Sequence, residues 1–105
     1  MDEQEMLELG KPYGLTAVCF GGCVLGSPIH PGEPAAMRQS AHAHNRPDDE
    51  RHGWVCFKAY TPERISPGLF WHEVGHIWRR SWTEGQCSKW GRQQVKKGGT
   101  NARVS

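Results

Sequence analysis

The chain has no run of residues long and apolar enough to cross a bilayer. Its longest mostly apolar stretch, Leu15 to Gly26, is interrupted by glycines and falls short of the ~20 residues a spanning helix needs. A membrane partner is therefore not expected. Residues 1–10 carry Asp2, Glu3, Glu5 and Glu8 and neither Lys nor Arg. A secretory leader, with its basic start and apolar middle, is not written there, and a cytoplasmic location is the expectation. Cysteine is sparse and poorly spaced for metal: Cys19 and Cys23 are separated by three residues and no CxxC pair follows. Without an export signal the four cysteines do not read as a disulfide framework. Cys19 and Cys56 lie in apolar runs, where a reduced, buried thiol is the expectation. Apolar residues are few, at 36%, with a mean hydropathy of −0.71. A chain of 105 residues has room for one modest core and gains from an added staple such as a metal.

What is present is unevenly distributed. The acidic start contrasts with residues 88–105, where Lys89, Arg92, Lys96, Lys97 and Arg103 stand without an acid. Such a segment can touch nucleic acid, although a solvated terminus is its commoner use. Met1 to Lys11 reads as a helical turn or a loose arm. Leu15 to Leu25 reads as a buried strand broken at Gly21 and Gly22. The proline-rich SPIHPGEP is a loop, Met37 to Asn45 a half-exposed strand, and Trp54 to Tyr60 the clearest strand, paired with it across the NRPDDE turn. Ser66 before Pro67 opens a helix that continues through Arg79 and Arg80. Ser81 and Glu84 fit a capping box for a second helix, Thr83 to about Lys97. The fold class is α+β, a small antiparallel or mixed sheet followed by two helices.

The first of those helices carries His72-Glu73-Val74-Gly75-His76, an HExxH motif. Residues four apart differ by only about 40° around a helix, so both imidazoles share one face. Two neutral histidines at that spacing can take adjacent corners of a tetrahedral zinc. Glu73 flanks the same face and can act as general base toward a metal-activated water. Given the histidine content, chance supplies only on the order of 0.03 such motifs in a chain this long. Around the helix, Phe70, Trp71, Val74, Ile77 and Trp78 gather on the opposite arc, which separates a core stripe from the ligand face. Trp71, Trp78 and Trp54 are accordingly read as packing residues and not as stacking platforms for bases.

With these residues in view, the chain resembles the zincin superfamily of metallopeptidases, and within it the small SprT-like proteins of phage and bacterial genomes. The matching segments are AHAHN at 41–45, GWVCFK at 53–58, LFWHEVGHIW at 69–78 and EGQCSKW at 84–90. The resemblance, which covers about residues 40–92, implies a minimal zincin-like fold; the chain reads as one such domain over 1–98, with a disordered basic tail at 99–105 after Gly98-Gly99. It also implies zinc as cofactor, and hydrolysis of a peptide or protein substrate. It implies a strand beside the active-site helix, read as Gly53 to Ala59, whose edge holds the substrate through Trp54 and Cys56. One position departs: SprT-like proteins place a third histidine in a GHxxxW-like segment, where this chain has Gly85-Gln86. Gln is a poor zinc ligand. Glu84 is then the better third donor, with Gln86 as the alternative and a capping role for Glu84 still open. Cys87 is expected to face the core. His42 and His44, two residues apart on a strand, share one sheet face. They read either as a polar face or as an outer shell to the same metal. His30 and His52 lie in turns. The rival function is a degenerate binding module that keeps the fold without turnover, associated with nucleic acid through its basic end.

Overall fold

The computed structural model describes residues 1–22 and 40–98. These form three α-helices, two single 3₁₀ turns and a three-stranded mixed sheet. The expected SPIHPGEP loop, the parts of the two flanking strands at 23–25 and 37–39, and the basic tail at 99–105 lie outside the described residues.

The N-terminal stretch is a helix, α1 (Glu3–Gly10). Asp2 caps it, accepting from the Glu5 amide at 2.8 Å, while the Glu5 carboxylate accepts from the Asp2 amide at 3.3 Å. The acidic side chains in its first turn suit the positive end of the helix dipole. Three short strands follow: β1 (Ala17–Cys19), β2 (Ala41–Ala43) and β3 (Trp54–Phe57). The strand order is β1-β3-β2, with β3 parallel to β1 and antiparallel to β2. The antiparallel pairing expected across the NRPDDE turn is present. Gly53 enters β3 at φ +89, and an added Cβ would lie 2.7 Å from the Gly14 carbonyl oxygen. Only glycine fits there.

The position of β3 corrects one expectation. It is the central strand, bonded on both sides, and not an edge. Val55, Cys56 and Phe57 are all fully buried, the signature of a strand covered on both faces. Cys56 therefore has no surface to offer a substrate, and Trp54 packs partly buried against Cys19 and Cys56. The strand that borders the cleft described below is β2.

α2 (Pro67–Trp78) and α3 (Glu84–Lys96) complete the fold. Ser66 caps α2 as expected, accepting from the Leu69 amide at 3.2 Å. The helix ends at Trp78, short of the expected Arg79 and Arg80. Arg79 leaves helical geometry and lays its guanidinium 4.1 Å from the centre of the Trp78 ring. The core lies between the helices and one face of the sheet. Phe70, Trp71 and Val74 of α2 meet Val55 and Phe57 of β3, together with Met6 and Leu15. Tyr13 joins Trp71, Trp78 and Trp90 edge to face, with ring centres 5.1 to 5.7 Å apart. These tryptophans are packing residues, as their helical spacing suggests, although Trp78 stays 37% exposed. No helix of the described residues is long and apolar enough to cross a membrane.

Candidate metal centre

Two helices build the site, and glycine lets them come close. A Cβ at Gly75 would sit 3.2 Å from the Trp90 ring and 3.3 Å from the Cys87 sulfur. One at Gly91 would sit 3.2 Å from the His72 amide nitrogen. α2 and α3 therefore pass in opposite directions with backbones nearly touching, so side chains early in α3 reach the HExxH face.

On that face His72 Nε2 and His76 Nε2 converge to 3.2 Å. The Glu84 carboxylate bridges them: Oε2 lies 2.8 Å from His72 Nε2, and Oε1 lies 2.9 Å from His76 Nε2. The histidine beside it draws the Glu84 carboxyl below its ordinary pKa, chiefly through the His72 hydrogen bond. Zinc fits this donor set. Ligands ~2.1 Å from a tetrahedral zinc stand about 3.3–3.4 Å from one another. The two nitrogens stand 3.2 Å apart and each lies 2.8 or 2.9 Å from a different Glu84 oxygen, slightly inside that spacing, so an ion needs only small side-chain shifts to enter. Imidazole, imidazole and carboxylate are also donors zinc accepts.

The remaining ring atoms are fixed by neighbours. His72 Nδ1 lies 2.8 Å from Ser88 Oγ, a partner that would hold the Nδ1 proton and leave the Nε2 lone pair to a bound ion. Asn45 donates to the His76 carbonyl oxygen at 2.9 Å, which ties the end of β2 to α2. Glu73 is 7% exposed and lines the same cleft, of about 650 Å³, between β2, α2 and α3. Burial pushes its carboxyl up to about 7, with the Glu84 charge adding to the rise and His72 opposing it. A carboxyl poised near neutrality is suited to exchanging protons.

Comparison with protein-family models, with curated proteins and with solved structures returned no match. The chemistry of the site therefore rests on its own residues.

Of the residues singled out in the sequence, His72, Glu73, His76 and Glu84 come together. Gln86 does not. Its side chain accepts from the Thr83 amide at 2.8 Å and its own amide donates to Thr83 Oγ1 at 3.2 Å. Thr83 and Gln86, and not Ser81 and Glu84, form the capping box of α3, which leaves Glu84 at the first helical position facing the histidines. Cys87 is fully buried, and burial pushes its thiol up to about 11, so it is an inert packing group. His42 and His44 lie on the sheet face turned away from α2 and do not form an outer shell to this centre. Ser88 went unread in the sequence. Its signal was its place four residues after Glu84, on the same face of α3.

Proposed function

We propose that the chain is a zinc-dependent metallopeptidase of SprT-like, zincin type. His72, His76 and Glu84 hold the ion, and Glu73 is the general base. When bound, zinc supplies Lewis acidity, bringing water near its ionisation at neutral pH and polarising a carbonyl. The chain's own residues do the rest. Glu73, buried beside the histidines, takes the proton from the attacking water and can return it to the departing amine. Ser88 holds the orientation of His72. Lys58 donates to the Ser40 carbonyl oxygen and His44 to the Trp54 carbonyl oxygen, both across the β2–β3 ladder. The alternate residues Ala41 and Ala43 then turn their amides and carbonyls to the outer edge of β2, along the cleft. Among the described residues no other strand pairs with that edge. An extended peptide can add there by main-chain hydrogen bonds, in place of the Trp54 and Cys56 contacts expected from the sequence. Arg92 at the cleft rim favours substrates with an acidic group nearby.

The observation that carries this reading is the convergence of both imidazoles and the Glu84 carboxylate beside buried Glu73. The test is zinc content by mass spectrometry on purified protein, paired with hydrolysis of an unfolded protein substrate. The wild type is expected to hold zinc and cleave. Glu73→Gln is expected to hold zinc and lose about 10²–10⁴-fold in rate. A wild type that binds no zinc at this cleft, or cleavage indifferent to Glu73→Gln, refutes it. The second reading is a binding module without turnover. The 79% exposure of the Glu84 side chain, which leaves the third ligand open to water, favours it. Zinc retention without any cleavage selects that reading.

A further inference from the structure

The other face of the sheet carries a separate set of metal-ligating side chains. His42 of β2 and Cys56 of β3 are direct cross-strand partners, and directly opposed residues project to the same face. His44, two residues after His42, projects there as well. One donor atom from each of His42, His44 and Cys56 lies within 4.8 Å of the others. The aromatic core occupies the opposite face, so this cluster is distinct from the HExxH centre. The residues form it because strand alternation sends Val55 and Phe57 toward the helices and Cys56 away from them.

We infer that Cys56, His42 and His44 form a second metal site, closed and structural in character and suited to zinc. Three observations carry this. The Cys56 sulfur lies 3.6 Å from His44 Nε2; a thiolate sulfur at ~2.3 Å and an imidazole nitrogen at ~2.1 Å from one tetrahedral zinc stand about 3.6 Å apart. His44 Nδ1 lies 3.1 Å from the Asp49 carboxylate, and Asp49 is itself held by the Arg51 amide at 2.8 Å. A carboxylate on the far nitrogen fixes the tautomer whose Nε2 lone pair points at the metal position. Cys56 is fully buried and the His44 side chain is only 12% exposed. Closed structural sites differ in this from catalytic ones, which keep a position open. Cys19 stands opposite Cys56 across the parallel ladder, projects to the same face and is 6% exposed. A metal held by Cys56, His42 and His44 ties β2 to β3, strands only three and four residues long.

Cobalt substitution tests this independently of the peptidase reading. Only a thiolate ligand gives Co²⁺ an intense sulfur-to-metal charge-transfer band in the near ultraviolet, and the His72, His76 and Glu84 set contains no sulfur. The full chain loaded with Co²⁺ is expected to show the band. It is expected to persist in His72→Ala/His76→Ala and to vanish in Cys56→Ser. Should Cys56→Ser fail to fold, Asp49→Asn serves instead. It leaves every ligand in place and is expected to weaken metal retention by about 10–100-fold in chelator competition. Absence of the band from the wild type overturns the site. A band unchanged in folded Cys56→Ser, or affinity unchanged in Asp49→Asn, does so too.

Discussion

Replacing Glu73 by Gln separates the cost of burying a carboxylate from its use. Glu73 is 7% exposed, and burial raises its carboxyl from the ordinary 4.5 to about 7. The folded state therefore holds the proton more tightly than the unfolded chain. Below pH ~4.5 both states carry it and Glu73 costs nothing. As pH rises through the window from 4.5 to 7, the unfolded chain ionises first and stability drains away. Above about pH 7 the full penalty applies, of the order of 3 kcal/mol for a shift of this size. Gln has a similar shape and no charge, so metal-free Glu73→Gln is expected to be more stable than wild type at about pH 8, by roughly 2–3 kcal/mol. A gain of 1 kcal/mol raises the melting temperature of a domain this small by about 4–8 °C, so the difference is easily read. The assay is thermal unfolding followed by circular dichroism in excess chelator, at about pH 5 and pH 8. The two proteins are expected to melt together at the acid pH and apart at the alkaline one. Zinc is expected to narrow the gap, since a cation in the cleft favours the carboxylate. If metal-free Glu73→Gln melts at or below wild type at pH 8, Glu73 is not a desolvated carboxylate, and its role as a tuned base loses its physical footing.

Glu84→Ala is expected to lower zinc affinity at the HExxH centre by at least about tenfold, whereas Gln86→Ala is expected to cost about 1 kcal/mol of stability as a lost cap and leave zinc binding intact; isothermal titration and melting curves on both variants read the difference. Ser88→Ala is expected to weaken zinc binding by about 10–100-fold with little change in the melting temperature of the metal-free protein, because the hydroxyl's contact is with the His72 ring. Gly91→Ala is expected to destabilise by about 1–3 kcal/mol despite alanine's better helix propensity, since the added methyl meets backbone on α2 at 3.2 and 3.3 Å; denaturant unfolding checks this.

The chemistry-bearing helix was legible because its signals are local. Ser66 and Pro67 mark its start, and a four-residue spacing places two histidines on one face whatever surrounds them. The capping of α3 was not, because SWTEGQ contains the S/T-x-x-E/Q pattern twice, at Ser81 with Glu84 and at Thr83 with Gln86. Both registers satisfy the backbone equally. The contact of Glu84 with His72 and His76 decides between them, and with His72 it joins residues 12 apart in the chain. The central position of β3 was partly legible: a strand reading Val55, Cys56, Phe57 without polar alternation implies cover on both faces. Its assignment to an edge followed the resemblance and not that pattern. His42 and His44 were placed correctly on one face. Which face was beyond the sequence, since it depends on the side to which Val55 and Phe57 turn.

The two clusters of ligating residues differ in the property that decides how a metal is held. Glu84 enters the HExxH set from the first turn of α3, with its side chain 79% in water. Water can compete for that corner and a chelator can reach it. Cys56 enters the other set from the middle of a buried strand, and the backbone that presents it is fixed on both sides. Opening that site requires parting β2 from β3. Metal loss from the first is thus expected to be limited by ligand exchange, and from the second by local unfolding. Under a chelator the chain is expected to lose its metal in two phases. The fast phase removes hydrolytic activity with no change in circular dichroism, and the slow one is accelerated by denaturant at concentrations below global unfolding. A single phase for both metals places them on one opening event and contradicts the separation of the two faces.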